Sequence, residues 1–238
     1  AMGFGNDDAA AAGSLLATAR PGLRVRNLGV DSLGACGIEL LLRTRLGELP
    51  RAAQPDWIVW IFNPSDYLDD TAPAPRPWLT PAMDFLNRWL VLPDAVRLLL
   101  ARPTAASAPY AAPSPATIAA DHPTLRCARA IFATARALRP RARPVLLVYP
   151  DIAPDGTGPL GRTASARLTA PIQTIARESG VDVLDLQAYF EQEAGNFRQS
   201  PEPLYLPNDG HPAPRAQRLF AAALAGLVPS PEPEPDLR

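Results

Sequence analysis

The sequence contains no lysine. All 23 of its cationic side chains are arginine, set against 24 Asp and Glu, for a formal net charge of -1. That balance gives no reason to expect nucleic acid or an anionic membrane surface as a partner, since both select a basic face. Histidine and cysteine are scarce, at two each. Cys36 and Cys127 have no CxxC spacing, and with His122 and His211 they are too few to build a structural zinc site, so neither a metal nor another cofactor is expected. Two cysteines bridge only when their Cα atoms come within about 7 Å; the sequence supplies no such proximity, and free buried thiols are the expectation. No apolar run reaches the ~18 residues of a membrane span. The first residues lack a signal-peptide pattern, and Ala1-Met2-Gly3 has the look of a cloning remnant, which leaves a preceding leader or anchor open.

What is abundant is apolar surface, at 47% of residues, and proline, at 29. A chain of 238 residues is long enough for one substantial core, and a single domain over residues 1–228 is expected. Short apolar runs bounded by Gly or Pro predict buried strands at Leu23–Val30, Asp56–Phe62, Pro144–Tyr149 and Val181–Leu186. Helical patterns lie between them at Ile38–Leu49, Pro123–Leu138, Ala164–Ser179 and Pro214–Leu227. Alternating strand and helix predicts an α/β fold, a three-layer α/β/α sandwich around a mainly parallel sheet, whose ligand sites lie beyond the carboxyl ends of the strands. Pro-rich stretches around Met83–Leu100 mark residues 70–121 as an insertion. It reads equally as a surface excursion or as a cap carrying Trp78, Phe85 and Trp89. The tail from 229 to 238 is proline- and charge-rich, the composition of a disordered segment.

Motifs that follow strands carry the candidate chemistry. His211 has Asp209 two residues before it, on a turn entering the helix at Pro214. An imidazole whose tautomer a carboxylate can fix has the make-up of a general base, although a turn-shaping Asp beside a surface His has the same sequence. Asp66, Asp69 and Asp70 cluster after a strand. They read as a solvated loop rather than a metal site, because no further ligand block is spaced to complete a shell.

The segment Tyr205-Leu206-Pro207-Asn208-Asp209-Gly210-His211-Pro212 resembles the last block of SGNH (GDSL-type) hydrolases. There a Y-x-P-x-D-G-H-x-N-like turn supplies the Asp and His of the triad. Asn27-Leu28-Gly29-Val30 is similar to that family's second block, Trp60-Ile61-Phe62-Asn63-Pro64-Ser65-Asp66 to its third, and Val183-Leu184-Asp185-Leu186 to the strand before its His block. The resemblance covers nearly the whole chain in order and spacing. It implies a flavodoxin-like sheet and hydrolysis of an O-acyl ester or acylated carbohydrate, with His211 as base and Asp209 as its orienter. In the family a Ser of a GDS turn attacks the acyl carbon, while a backbone N-H, a Gly and an Asn stabilise the oxyanion. Each such donor is worth roughly 3 to 4 kcal/mol of barrier.

The sequence departs from that pattern in three places. Aligned on Gly13, the nucleophile position holds Ala9, with Asp8 before it; counted from Gly5 it would hold Asp7. The second-block Gly becomes Ser32, with Gly34 close by, and the third-block Asn becomes Ser65, whose hydroxyl still offers a donor. Three accounts stay open: a nucleophile-to-alanine variant, a pseudoenzyme that binds without turning over, and chemistry moved to Ser32. The stretch Val30-Asp31-Ser32-Leu33-Gly34 nearly matches a G-x-S-x-G elbow. The plainer role for Ser32 is to cap the helix near Ile38.

Overall fold

The computed structural model describes residues 8–28, 33–49, 55–71, 118–153, 159–195, 202–206 and 211–227. Three strands, β1 (Trp57–Phe62), β2 (Arg143–Val148) and β3 (Asp182–Asp185), form a parallel sheet in the order β1-β2-β3. Trp57 pairs with Arg143 and Val145 with Asp182. Among the described residues seven α-helices accompany them: α1 (Ala12–Ala19), α2 (Ala35–Glu48), α3 (Asp66–Asp69), α4 (Pro123–Leu138), α5 (Arg162–Glu178), α6 (Gln187–Gly195) and α7 (Pro214–Leu227). A 3-10 turn at Asp8–Ala10 leads into α1.

Alternation along the strands divides the core, because successive side chains of a strand point to opposite faces. Trp60, Phe62, Leu146 and Val148 join one buried cluster with Leu42 and Leu46 of α2, Phe132 of α4 and Ile172 of α5. Leu147 and Tyr149 join a second with Leu16 of α1, Phe190 of α6 and Phe220 of α7. Each strand contributes apolar side chains to both clusters.

Three expectations change. Leu23–Leu28 is neither strand nor helix: Arg24 to Asn27 are exposed, and among the described residues no strand pairs with the segment. Residues 29–32 lie outside the described part. The two cysteines are not free thiols. Cys36, second residue of α2, and Cys127, in the second turn of α4, are joined by a disulfide with Cα atoms 4.9 Å apart. The long α2–α4 contact brings together residues 91 apart in sequence, which spacing alone does not reveal.

The acidic cluster, finally, is not a solvated loop. Asp66 and Tyr67 are buried in α3. The Asp70 carboxylate accepts from Cys36 N at 2.9 Å and from the Thr124 hydroxyl at 2.6 Å. Asp70 thereby serves the α2 N-terminus from across the fold, where orphan N-H groups favour an anion. The N-cap position itself is Gly34 and has no side-chain bond, so the cap expected of Ser32 near Ile38 is supplied elsewhere. A Cβ at position 34 would collide with the Asp70 carboxylate, which accounts for glycine there. Of the insertion read at 70–121, residues 72–117 lie outside the described residues, as does the tail from 229.

Candidate functional site

Because the strands are parallel, the segments after Phe62, Val148 and Asp185 leave the same edge of the sheet, where α/β folds place their ligands. His211 reaches that edge on a short hairpin. Tyr205 bridges Pro212, Leu206 N donates to His211 O at 2.8 Å, and Ala213 N donates to Leu204 O at 2.9 Å. The buried Tyr205 hydroxyl donates to Pro150 O at 2.9 Å, just beyond β2. Beneath the hairpin, Phe190 packs on Tyr205 and stacks on Phe220 and Tyr149. Aromatic packing of this kind fixes the backbone that carries the half-buried His211 ring.

The N-terminal turn meets the same region. Ala12 N, an orphan donor of the first turn of α1, donates at 3.0 Å to Oε1 of the buried Gln217 of α7. The 3-10 turn holding the exposed Ala9 also contacts α7. Gln217 lies six residues after His211, so one buried hydrogen bond ties the turn of Ala9 to the helix that His211 precedes. No local pattern marks Gln217, which reads as one more helical residue.

Ser65 is half-buried just past β1, where its N donates to Asn63 Oδ1 at 3.2 Å. Its neighbour Asp66 is buried, and Oδ2 has no hydrogen-bond partner. Burial, reinforced by Asp69 and Asp70, pushes this carboxyl well above the usual carboxylate range. Asp209 and Ser32 lie outside the described residues.

The chain matches no protein-family model and no curated protein. What the site can do is therefore argued from its own residues.

One of these was missed by sequence reading. Asp151 stands three residues past β2, 4% exposed. Oδ1 accepts from Ile152 N at 2.8 Å, while Oδ2 has no partner. Burial raises this carboxyl to about 6. Its carbonyl lies 3.4 Å from the Tyr205 hydroxyl, against the hairpin of His211. A carboxylate directly after the apolar run Pro144–Tyr149 was the available signal. Among the described residues no group of three or more His, Cys, Asp or Glu could hold a metal ion, and no helix is long and apolar enough to cross a membrane.

Proposed function

We propose that the chain is an SGNH-type hydrolase scaffold, a three-layer α/β/α sandwich whose cleft takes an O-acyl ester of a small alcohol or sugar. His211 is the general base and Asp209 its orienter. The observation that carries this reading is the bond from Ala12 N to Gln217 Oε1. It holds the N-terminal turn against α7, the helix that His211 precedes, which supports a pairing of nucleophile position and base. The division of the core into two clusters on alternate strand positions supports the three layers. Ser65, past the end of β1, is the side-chain donor nearest to an oxyanion role.

Alanine cannot attack an acyl carbon. With Ala9 in the nucleophile position, His211 is left to activate water, or the hydroxyl of Ser32. Ala9 is also the specific observation that favours a second reading, a binding module that holds an acylated ligand without turning it over. The disulfide adds a compartment to both readings, since such bonds persist where the medium is oxidising.

Hydrolysis of p-nitrophenyl acetate separates the two. Turnover that falls by roughly 10²- to 10⁴-fold in His211→Ala, the usual worth of a general base, supports the hydrolase. Absence of turnover in the parent chain, with the ester still bound, supports the module.

A further inference from the structure

A polar cleft of about 230 Å³ opens at the carboxyl end of β3, between the start of α5 and the start of α6. Arg162, Ser165 and Thr169 of α5 line it on one side, Asp185 and Gln187 on the other. The buried Gln187 ties the two sides together, its amide donating to Leu160 O and Glu191 Oε1, each at 2.9 Å. The groups open to a ligand are charged, and they are of opposite sign.

Asp185 is exposed. Its oxygens accept from Gln187 N at 2.9 Å and from Gln173 Nε2 at 2.8 Å. Both donors are neutral, so the carboxylate charge is not compensated, and each oxygen keeps a lone pair for a further donor. Across the cleft the Arg162 side chain is 71% exposed. Its Nε and Nη2 donate to Glu191, which leaves three of the five N-H groups of a guanidinium for another acceptor. Asp185 acts electrostatically on the Arg162 charge, yet Arg162 pairs with Glu191 and not with Asp185. The two opposite charges therefore face one cleft unjoined.

Two further features favour an anion at the Arg162 end. The N-cap of the 17-residue α5 is Gly161, with no side-chain bond, so the first turn keeps orphan N-H groups and the positive end of its dipole. One turn on, Ser165 is 4% exposed. Its backbone bonds to Gly161 O and to the Thr169 hydroxyl, while its own hydroxyl lines the cleft with no protein partner and, unlike Gln187 Oε1, is not sealed from solvent. A lone anion would meet the Asp185 charge and a lone cation the guanidinium. A molecule carrying both charges satisfies each side, and the volume, below the ~300–1,000 Å³ of sites for drug-sized ligands, restricts it to a small one. We propose that this cleft binds a small α-amino acid as its zwitterion, the carboxylate accepting from Arg162 and the Ser165 hydroxyl and the ammonium donating to Asp185. The inference is independent of the hydrolase reading and uses neither His211 nor Ala9.

The test is a titration of the ¹⁵N-labelled chain with L-alanine, followed by amide shifts, beside parallel titrations with sodium acetate and ethylammonium chloride at matched ionic strength. Saturable shifts centred on Ser165, Ala166 and Ala188 are expected with L-alanine, at a Kd on the order of 1 mM, as suits charge-assisted contacts at an open cleft. Each half-molecule should bind at least about tenfold more weakly. Arg162→Gln and, independently, Asp185→Asn, which keeps the acceptor for Gln187 N, should each weaken L-alanine binding by about fivefold or more, with amide shifts away from the cleft unchanged. Shifts that stay linear to high concentration, that centre elsewhere, that are matched by acetate or ethylammonium alone, or that keep the parent Kd in both variants would overturn the proposal.

Discussion

Reduction of the Cys36–Cys127 disulfide is expected to lower the melting temperature by about 10–15 °C. The bond closes a loop of 91 residues, and loop-closure entropy assigns such a cross-link about 4–5 kcal/mol. In a chain of this size each kcal/mol moves the midpoint by about 2–4 °C. The loss falls on α2 and α4, whose N-terminal ends Asp70 also joins, through Cys36 N and Thr124. The paired variant Cys36→Ser with Cys127→Ser should match the reduced parent in calorimetry. Two titratable thiols in the unfolded parent without reductant, or a midpoint indifferent to reductant, would show that the bond is absent or idle.

Asp151→Asn is expected to stabilise the protein at pH 8 by about 2 kcal/mol and to lose that gain in acid. In the folded chain burial raises this carboxyl to about 6, whereas in the unfolded chain it titrates near 3.9. The folded state therefore holds the proton more tightly. Below pH 4 both states are protonated and nothing is lost. As pH rises from 4 through 6, ionisation comes to cost the folded state about 3 kcal/mol, fully expressed above pH 7. Asparagine escapes that cost and keeps the acceptor for Ile152 N, but it leaves an amide N-H₂ where Oδ2 had no partner, at about 1 kcal/mol. Urea unfolding at pH 3.5 and pH 8 reads the difference. Equal effects of the substitution at both values would mean that Asp151 does not titrate in this range.

Elements that local pattern determines were legible in the sequence. Pro123–Leu138 and Pro214–Leu227 have the predicted bounds, because a helical period with proline at the first position states its own start. The three parallel strands fall within one or two residues of their apolar runs. What required the fold was anything made by partners distant in sequence. Cys36 finds Cys127, Asp70 finds the α2 N-terminus, and Ala12 finds Gln217 across 205 residues. Helix α1 went unread because its alanines and glycine were weighed as a catalytic turn. The segment Leu23–Leu28 read as strand because β propensity reports fit to a pleated surface, and here no neighbouring strand provides one.

Of the candidate site, the loop carrying His211 and the position of Ser65 just past β1 follow from motif order. The aromatic bed of Tyr149, Phe190, Tyr205 and Phe220 does not, since each ring taken alone reads as core. Asp151 was hidden for a related reason. Its place after the apolar run Pro144–Tyr149 marks it only faintly, because its burial is decided by surroundings distant in sequence.

The central claim is that the turn of Ala9 and His211 belong to one reactive cleft. Initial rates of p-nitrophenyl acetate hydrolysis by Ala9→Ser, alone and combined with His211→Ala, test it most directly. A gain of at least about tenfold over the parent that disappears in the combined variant is the predicted result. A folded Ala9→Ser protein no faster than the parent, or one whose gain survives loss of the imidazole, would contradict it.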